Sequence, residues 1–151
     1  MNSAIIHKSV GFCSQIDNGI KEISVYENLK FFAKIKGVPN DQVEYEVNTV
    51  MHKLNLTLHR DSLVYKMSAG WRRKVSFAIA LLNNPKIIVM DEPTSGMDRI
   101  SRNSFWELVK TLKEENKTII FTTQFLDEAE SLSDRIAVLS RGNISCFLDK
   151  I

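Results

Sequence analysis

The chain has 151 residues, 44% of them apolar, 9% aromatic and 25% charged, a balance that suits one domain with a sizeable core and excludes a disordered tail. Its formal charge of +2 comes from basic and acidic residues mixed along the whole length, so nothing electrostatic speaks for nucleic acid or an anionic membrane surface. No basic-then-apolar leader opens it, and the apolar runs around Phe77 to Leu82 and Ile87 to Met90 fall far short of the ~20 residues that cross a bilayer, so any membrane role is expected through a partner.

Ala4-Ile5-Ile6 and Val10-Gly11-Phe12 flank a polar His7-Lys8-Ser9, which predicts a loop and then a strand leading to Gln15. Ser24 with Glu27 three residues on forms a capping box, opening a helix that turns Val25, Leu29, Phe32 and Ile35 inward and ends at Gly37 and Pro39. A second helix from about Asp41 carries Val43, Val47, Val50, Met51 and Leu54 on one face, with Glu44, Glu46 and Asn48 off it. A third starts at Ser68 as N-cap, buries Val75, Ile79 and Leu82, and stops at Asn83-Asn84-Pro85. The apolar strand Ile87 to Met90 follows at once and ends in Asp91-Glu92.

Beyond it, a helix from about Ser101 to Lys113 is expected to bury Phe105, Leu108, Val109 and Leu112. A strand Thr118 to Thr122, a short helix Leu126 to Leu132 and a strand Ile136 to Leu139 come next, and Arg141-Gly142-Asn143 turns the last into a hairpin with Ile144 to Phe147. Strands alternating with helices predict an α/β fold whose largely parallel sheet is covered on both faces. The two cysteines, Cys13 and Cys146, lack metal-ligand spacing and read as buried thiols of a reducing compartment. His7, His52 and His59 stand alone and read as surface or cap residues.

Three places carry chemistry. Asp91 and Glu92 sit where open α/β sheets bind ligands, at the C-terminal end of a buried strand. They fit two parts that phosphoryl transfer needs, a carboxylate for Mg²⁺ and a group that orients water. Ser68, Ala69 and Gly70 open a helix, so their free N–H groups and the helix dipole can face an anion. Nowhere in the chain is there a G-x-x-x-x-G-K-[ST] loop, the element that cradles nucleotide phosphates.

Met67-Ser68-Ala69-Gly70-Trp71-Arg72-Arg73-Lys74, followed after an apolar helix by Ile87 to Met90 and Asp91-Glu92-Pro93-Thr94-Ser95-Gly96-Met97-Asp98, resembles the catalytic centre of an ATP-binding cassette (ABC) domain. In that family these stretches are the signature, the Walker B strand and the D-loop. Gln15, in Phe12-Cys13-Ser14-Gln15, resembles the Q-loop. Thr122-Thr123-Gln124-Phe125-Leu126-Asp127-Glu128-Ala129 resembles the switch loop, with Gln124 where the family usually has His. The segment Val25 to Gly37 looks like the helical subdomain of the eukaryotic A subfamily, large membrane proteins that move lipids.

The resemblance implies a P-loop NTPase (RecA-like) core with an ABC helical subdomain and with the N-terminal portion of the fold missing. Residues 1–23 would supply a core strand and the Q-loop, 24–82 the helical subdomain ending in the signature helix, and 83–151 the Walker B, D-loop and switch core. It implies ATP and Mg²⁺ as cofactors: Asp91 and Gln15 toward the metal, Glu92 as general base with Gln124 beside it, and Gln15, Ser68, Ala69, Gly70 and Asp98 toward the nucleotide. The signature would meet the γ-phosphate of a second cassette in a head-to-tail pair. Transmembrane domains of a transporter, at the cytoplasmic face, would be the other partner, and lipid would be handled through them, without nucleic acid. The intact domain would be an ATPase and this chain alone inactive.

Departures from the pattern leave an alternative open. Met67, Ala69 and Trp71 replace the Leu, Gly and Gln of the signature, and Gln124 cannot relay a proton as an imidazole does. A degenerate, non-hydrolysing binding or regulatory module is therefore the competing expectation. A chromosome-maintenance ATPase is disfavoured, because only two short helices, and no long heptad coiled coil, separate Gln15 from Ser68. The missing phosphate loop is expected to belong to a strand beside the Walker B strand, leaving Ile87, Val89 and their neighbours without cover.

Overall fold

Local chemistry sets the elements before packing does. In the computed structural model, which describes residues 9–149, the chain runs β1 (Val10–Cys13), α1 (Val25–Ile35), α2 (Val43–Lys53), α3 (Ala69–Leu81), β2 (Ile87–Asp91), α4 (Arg99–Glu114), β3 (Thr118–Thr122), α5 (Leu126–Leu132), β4 (Arg135–Ser140) and β5 (Asn143–Asp149). Ala4-Ile5-Ile6 and the His7-Lys8 part of the loop expected over His7-Lys8-Ser9 lie outside the described residues. The capping box at α1 is complete: the Ser24 hydroxyl accepts from the Glu27 N–H at 3.2 Å, and the Ser24 N–H donates back to the Glu27 carboxylate at 2.8 Å. Left-handed asparagines follow three of the helices, Asn55 (φ 56°) after α2, Asn83 (φ 65°) and Asn84 (φ 46°) after α3, and Asn116 (φ 59°) after α4.

α2 and α3 bury the residues expected of them, and α3 is buried almost all round, including Phe77, Ala78 and Ala80. Two helix expectations need correction. Ile35 is 63% exposed, because the inward stripe of α1 runs through Asn28, Leu29 and Ala33 and leaves position 35 off it. α4 begins two residues before Ser101, because Asp98 caps it: its carboxylate accepts the N–H and the O–H of Ser101 at 2.9 and 2.7 Å.

The sheet has the order β1-β2-β3, all parallel, with Phe12 opposite Val89 and Val89 opposite Ile120. The face bearing Cys13, Ile88 and Met90 is sealed by helices, with Phe77 of α3 packed on Phe105 of α4 at a ring separation of 4.9 Å. Gly11 lies on that face, where an added Cβ would stand 2.3 Å from the Ala80 carbonyl oxygen, so only glycine lets β1 approach α3 this closely. Strand–helix alternation predicted cover on both faces, whereas the missing phosphate loop was expected to bare Ile87, Val89 and their neighbours; the opposite face is open, and among the described residues Phe12 is 54% and Ile120 56% exposed, with Val89 half-buried between them. Successive right-handed crossovers that add strands in one direction put every connecting helix on one face, and both crossovers here do so.

A second correction concerns the central strand. β2 has parallel partners on both sides, β1 and β3, so no further strand can pair beside it. Any added strand would meet β1 or β3. β4 and β5 form a separate antiparallel pair joined by Arg141 (φ 48°) and Gly142 (φ 78°), the two left-handed residues of a tight hairpin turn, with a bulge after Val138. Their apolar residues are open to solvent, Leu139 at 68% and Phe147 at 61%. Cys13 is buried as expected, but Cys146, on this hairpin, is exposed.

Candidate functional site

The strand ends bring together four of the residues singled out in the sequence. Asp91 closes β2, and its Oδ1 accepts the hydroxyl of Thr122, the last residue of β3, at 2.5 Å. The same Thr122 oxygen accepts the Glu92 N–H at 3.0 Å, so one side chain ties both acidic residues to the next strand. Glu92 leaves the strand in a left-handed conformation (φ 43°), a backbone state that costs on the order of 1–3 kcal/mol in a non-glycine residue and collects at functional sites. Its carboxylate lies between two amides. Gln124 Nε2 donates to Oε1 at 2.5 Å and Gln15 Nε2 to Oε2 at 3.3 Å. A carboxylate only accepts, so the NH₂ end of each amide must face it, which leaves the amide oxygens for other ligands.

Gln124 owes its place to a network that sequence reading did not find. Glu128, fully buried, accepts Trp106 Nε1 at 2.9 Å and the Thr123 hydroxyl at 2.5 Å, and Thr123 Oγ1 accepts the Phe125 N–H at 3.1 Å. This pins the loop after β3 to α4 on either side of Gln124. Helical spacing makes Trp106 a flank of the Phe105-Val109-Leu112 stripe, and nothing local marks it as the partner of an acid on α5.

Arg73 is the larger omission. A run such as Arg72-Arg73-Lys74 is by its composition a solvated helix face, yet Arg73 is only 4% exposed. Its guanidinium has five N–H groups and gives all of them to backbone carbonyls: Nε to Pro93 at 2.9 Å, Nη1 to Ser14 and to Gln15 at 3.0 Å, and Nη2 to Asp91 at 2.7 Å and Glu92 at 3.2 Å. Arg72 pairs with Asp17 at 3.0 Å, and the Ser76 hydroxyl accepts the Asn18 N–H at 2.9 Å. One face of α3 thus holds the whole loop that carries Gln15.

Ser68, Ala69, Gly70 and Asp98 form a neighbouring group. Ser68 caps α3 through the Trp71 N–H, and a Cβ added to Gly70 would stand 3.4 Å from Ser101 Oγ, so the starts of α3 and α4 lie side by side. The ring of Trp71 lies tilted by 52° against His59 with centroids 4.2 Å apart and has Lys74 Nζ 4.5 Å from its centroid, so the partner of His59 is an aromatic ring. Together with Asp61, Lys66, Met67 and Ser68, the His59 and Trp71 rings wall a cleft of about 510 Å³ at the helix start. The hydroxyl of Asp98's neighbour in the turn, Thr94, is buried without a partner. Among the described residues no hydrogen bond joins this group to Gln15, Glu92 or Gln124, and Arg73, one turn into α3, is the link between the two.

A family model described as "ABC transporter" matches residues 1–95. The chain belongs to the ABC transporter family. Over 139 residues it is 43% identical to the human "Cholesterol transporter ABCA5", and over 141 residues 41% identical to the rat "Phospholipid-transporting ATPase ABCA3". These alignments take in 92% and 93% of this chain but 8% of each relative, so the chain spans a small part of the proteins it matches. Among solved structures, the ATP-binding cassette MJ0796, a dimer in a post-hydrolysis state with ADP and Pi, superposes with a TM-score of 0.86 at 24% identity, over 97% of this chain and 65% of that one. The ABC fold read from the sequence, an α/β P-loop NTPase core with a parallel sheet, therefore stands, and the chain covers part of it. No helix among the described residues is long and apolar enough to cross a membrane.

Proposed function

We propose that this ABC chain is the Q-loop-to-switch portion of a nucleotide-binding domain that drives lipid movement through transmembrane domains. The observation that carries it is the Glu92 carboxylate held between the Gln15 and Gln124 amides, at the C-terminal ends of parallel strands and one residue from Asp91. Glu92 is placed to take a proton from water, Gln15 and Gln124 to orient it, and Asp91 to approach a metal. The oxygen donors fit Mg²⁺, which keeps several waters and takes one or two carboxylates. Asp91 would hold that ion through water and Gln15 through its amide oxygen, and the ion would neutralise phosphate charge. Ser68, Ala69, Gly70 and Asp98 serve the nucleotide of a second cassette in a head-to-tail pair. The names of the relatives, a cholesterol transporter and a phospholipid-transporting ATPase, support lipid as the transported class and the cytoplasmic face of a membrane as the place of work.

Because no phosphate cradle stands among these residues, the 151-residue chain should release phosphate from ATP no faster than buffer does. Joined to a segment bearing a Gly-rich Lys-Ser/Thr loop, it should first bind nucleotide and then hydrolyse it. Activity of the isolated chain that Glu92→Gln abolishes would overturn this assignment. A non-hydrolysing module is the second reading, favoured by Gln124 in the switch position; binding without turnover in the joined protein, before and after Gln124→His, would establish it.

A further inference from the structure

Arg73 is buried, yet no carboxylate pairs with it. A charge removed from water at that cost is retained where its hydrogen bonds hold something in place. Here they hold two loops that are far apart in sequence and adjacent in space. One is Ser14-Gln15, after β1; the other is Asp91-Glu92-Pro93, after β2. We propose that Arg73 is a positioning residue that clamps these loops together and so sets the Gln15 amide against the Glu92 carboxylate. The inference rests on the reading of Glu92 as the general base, although the clamp is a matter of geometry that can be tested without turnover.

The division of labour among the side chains is specific. Gln124 reaches Glu92 from the opposite side, from a loop anchored by Thr123, Glu128 and Trp106 and not touched by Arg73. Gln15 has no such anchor of its own: its contact with Glu92 is the longer one at 3.3 Å, and its backbone carbonyl is an Arg73 acceptor. Arg72-Asp17 and Ser76-Asn18 fasten the far end of the same loop, and the Ser14 hydroxyl donates to the Asn18 side chain at 2.6 Å, so removing Arg73 releases Gln15 while the rest stays docked. Lysine offers three donors from one nitrogen and cannot span carbonyls on both loops as the planar fork does. Since Arg73 lies one turn from Gly70, a shift of the α3 start would be felt at Gln15 and Glu92 together.

The chain contains three glutamines, Gln15, Gln42 and Gln124, so selective ¹⁵N-glutamine labelling gives three side-chain amide signals, with Gln42 as an internal control. At micromolar concentration of the full chain, adding Glu92→Ala should shift the Gln15 and Gln124 signals, because each amide loses its acceptor, and that shift is read in the parent and in each Arg73 background. In Arg73→Met the Gln15 shift should be lost while that of Gln124 persists and the thermal transition remains cooperative. Arg73→Lys, which keeps the charge, should fold and lose the Gln15 shift in the same way, and it carries the test if the methionine variant does not fold. Retention of the Gln15 shift in either variant, or loss of both shifts together, would overturn the clamp. Because no nucleotide is used, absence of ATPase activity in the joined protein would refute the proposed function without touching this result.

Discussion

Single residues decide the chemistry at the strand ends. The Gln124 amide hydrogen-bonds Glu92 but cannot carry the proton that an imidazole would. In the protein joined to a phosphate loop, Gln124→His should therefore raise the hydrolysis rate, on a scale of ~10²–10⁴-fold for a well-placed general acid–base group, and an unchanged steady-state rate would show that this cassette does not use its switch. A different residue governs pH dependence. Burial lowers the Lys36 pKa to about 8, partly offset by Glu46, while its ammonium donates to the Ala80 carbonyl at 2.8 Å at the end of α3. The folded value lies below the unfolded 10.5, so the unfolded chain binds more protons between them, and stability should rise as pH climbs from about 8 toward 10.5. The penalty is fully present below pH 8. Urea midpoints at neutral pH and near the upper end of that window should differ less in Lys36→Met than in the parent chain, and an equal difference would remove Lys36 from the account.

At the scale of elements, caps and helix ends were the most legible part of the chain because they depend on residues three or four apart. Ser24→Ala should cost about 0.5–2 kcal/mol by removing one half of the box at α1, read as a lower midpoint in thermal or urea unfolding. Asp98 went unread as a cap because the turn before it had already claimed it for the nucleotide. Hydrogen bonds from Ser101 hold its carboxyl below the ordinary value, so its contribution to α4 is present at neutral pH and lost as pH falls through that lowered value. Helicity of a peptide spanning α4, followed by circular dichroism in acid, should fall for the parent and stay level for Asp98→Ala. The Ile35 error has the same origin in reverse. Apolar spacing placed it on the stripe, but a buried Asn28, whose amide donates to the Ile20 and Ser24 carbonyls at 2.9 Å, turned the helix so that position 35 faces water.

The whole molecule presents an open apolar sheet face and two unpaired strand edges, β1 and β3, among its described residues. Exposed edges template pairing with other chains, and at ~25 cal/mol per Å² a few hundred Å² of uncovered apolar surface is worth several kcal/mol, comparable to the ~5–15 kcal/mol stability of a domain. The 151-residue chain alone should therefore associate as concentration rises, and Phe12→Lys with Ile120→Lys should suppress this in light scattering; a monodisperse parent with a cooperative thermal transition would show that the fold closes as it stands. What the sequence by itself determined was everything carried by short-range periodicity and caps: the elements and their order, the parallel strands, and Asp91-Glu92 at a strand end. Gln15 and Gln124 were legible as well, because they sit beside strands in recognisable company. Only the tertiary structure decided that β2 is central, that both crossovers fall on one face, that Glu128 fixes the Gln124 loop, and that Arg73 is buried. The reason is that these follow from contacts between residues far apart in the chain, as in the Arg73 bonds to Asp91 and Ser14, 18 and 59 residues away, and the pairing of Val10 with Ile87, and a local run of basic residues looks the same whether its carbonyl partners stand opposite or water does.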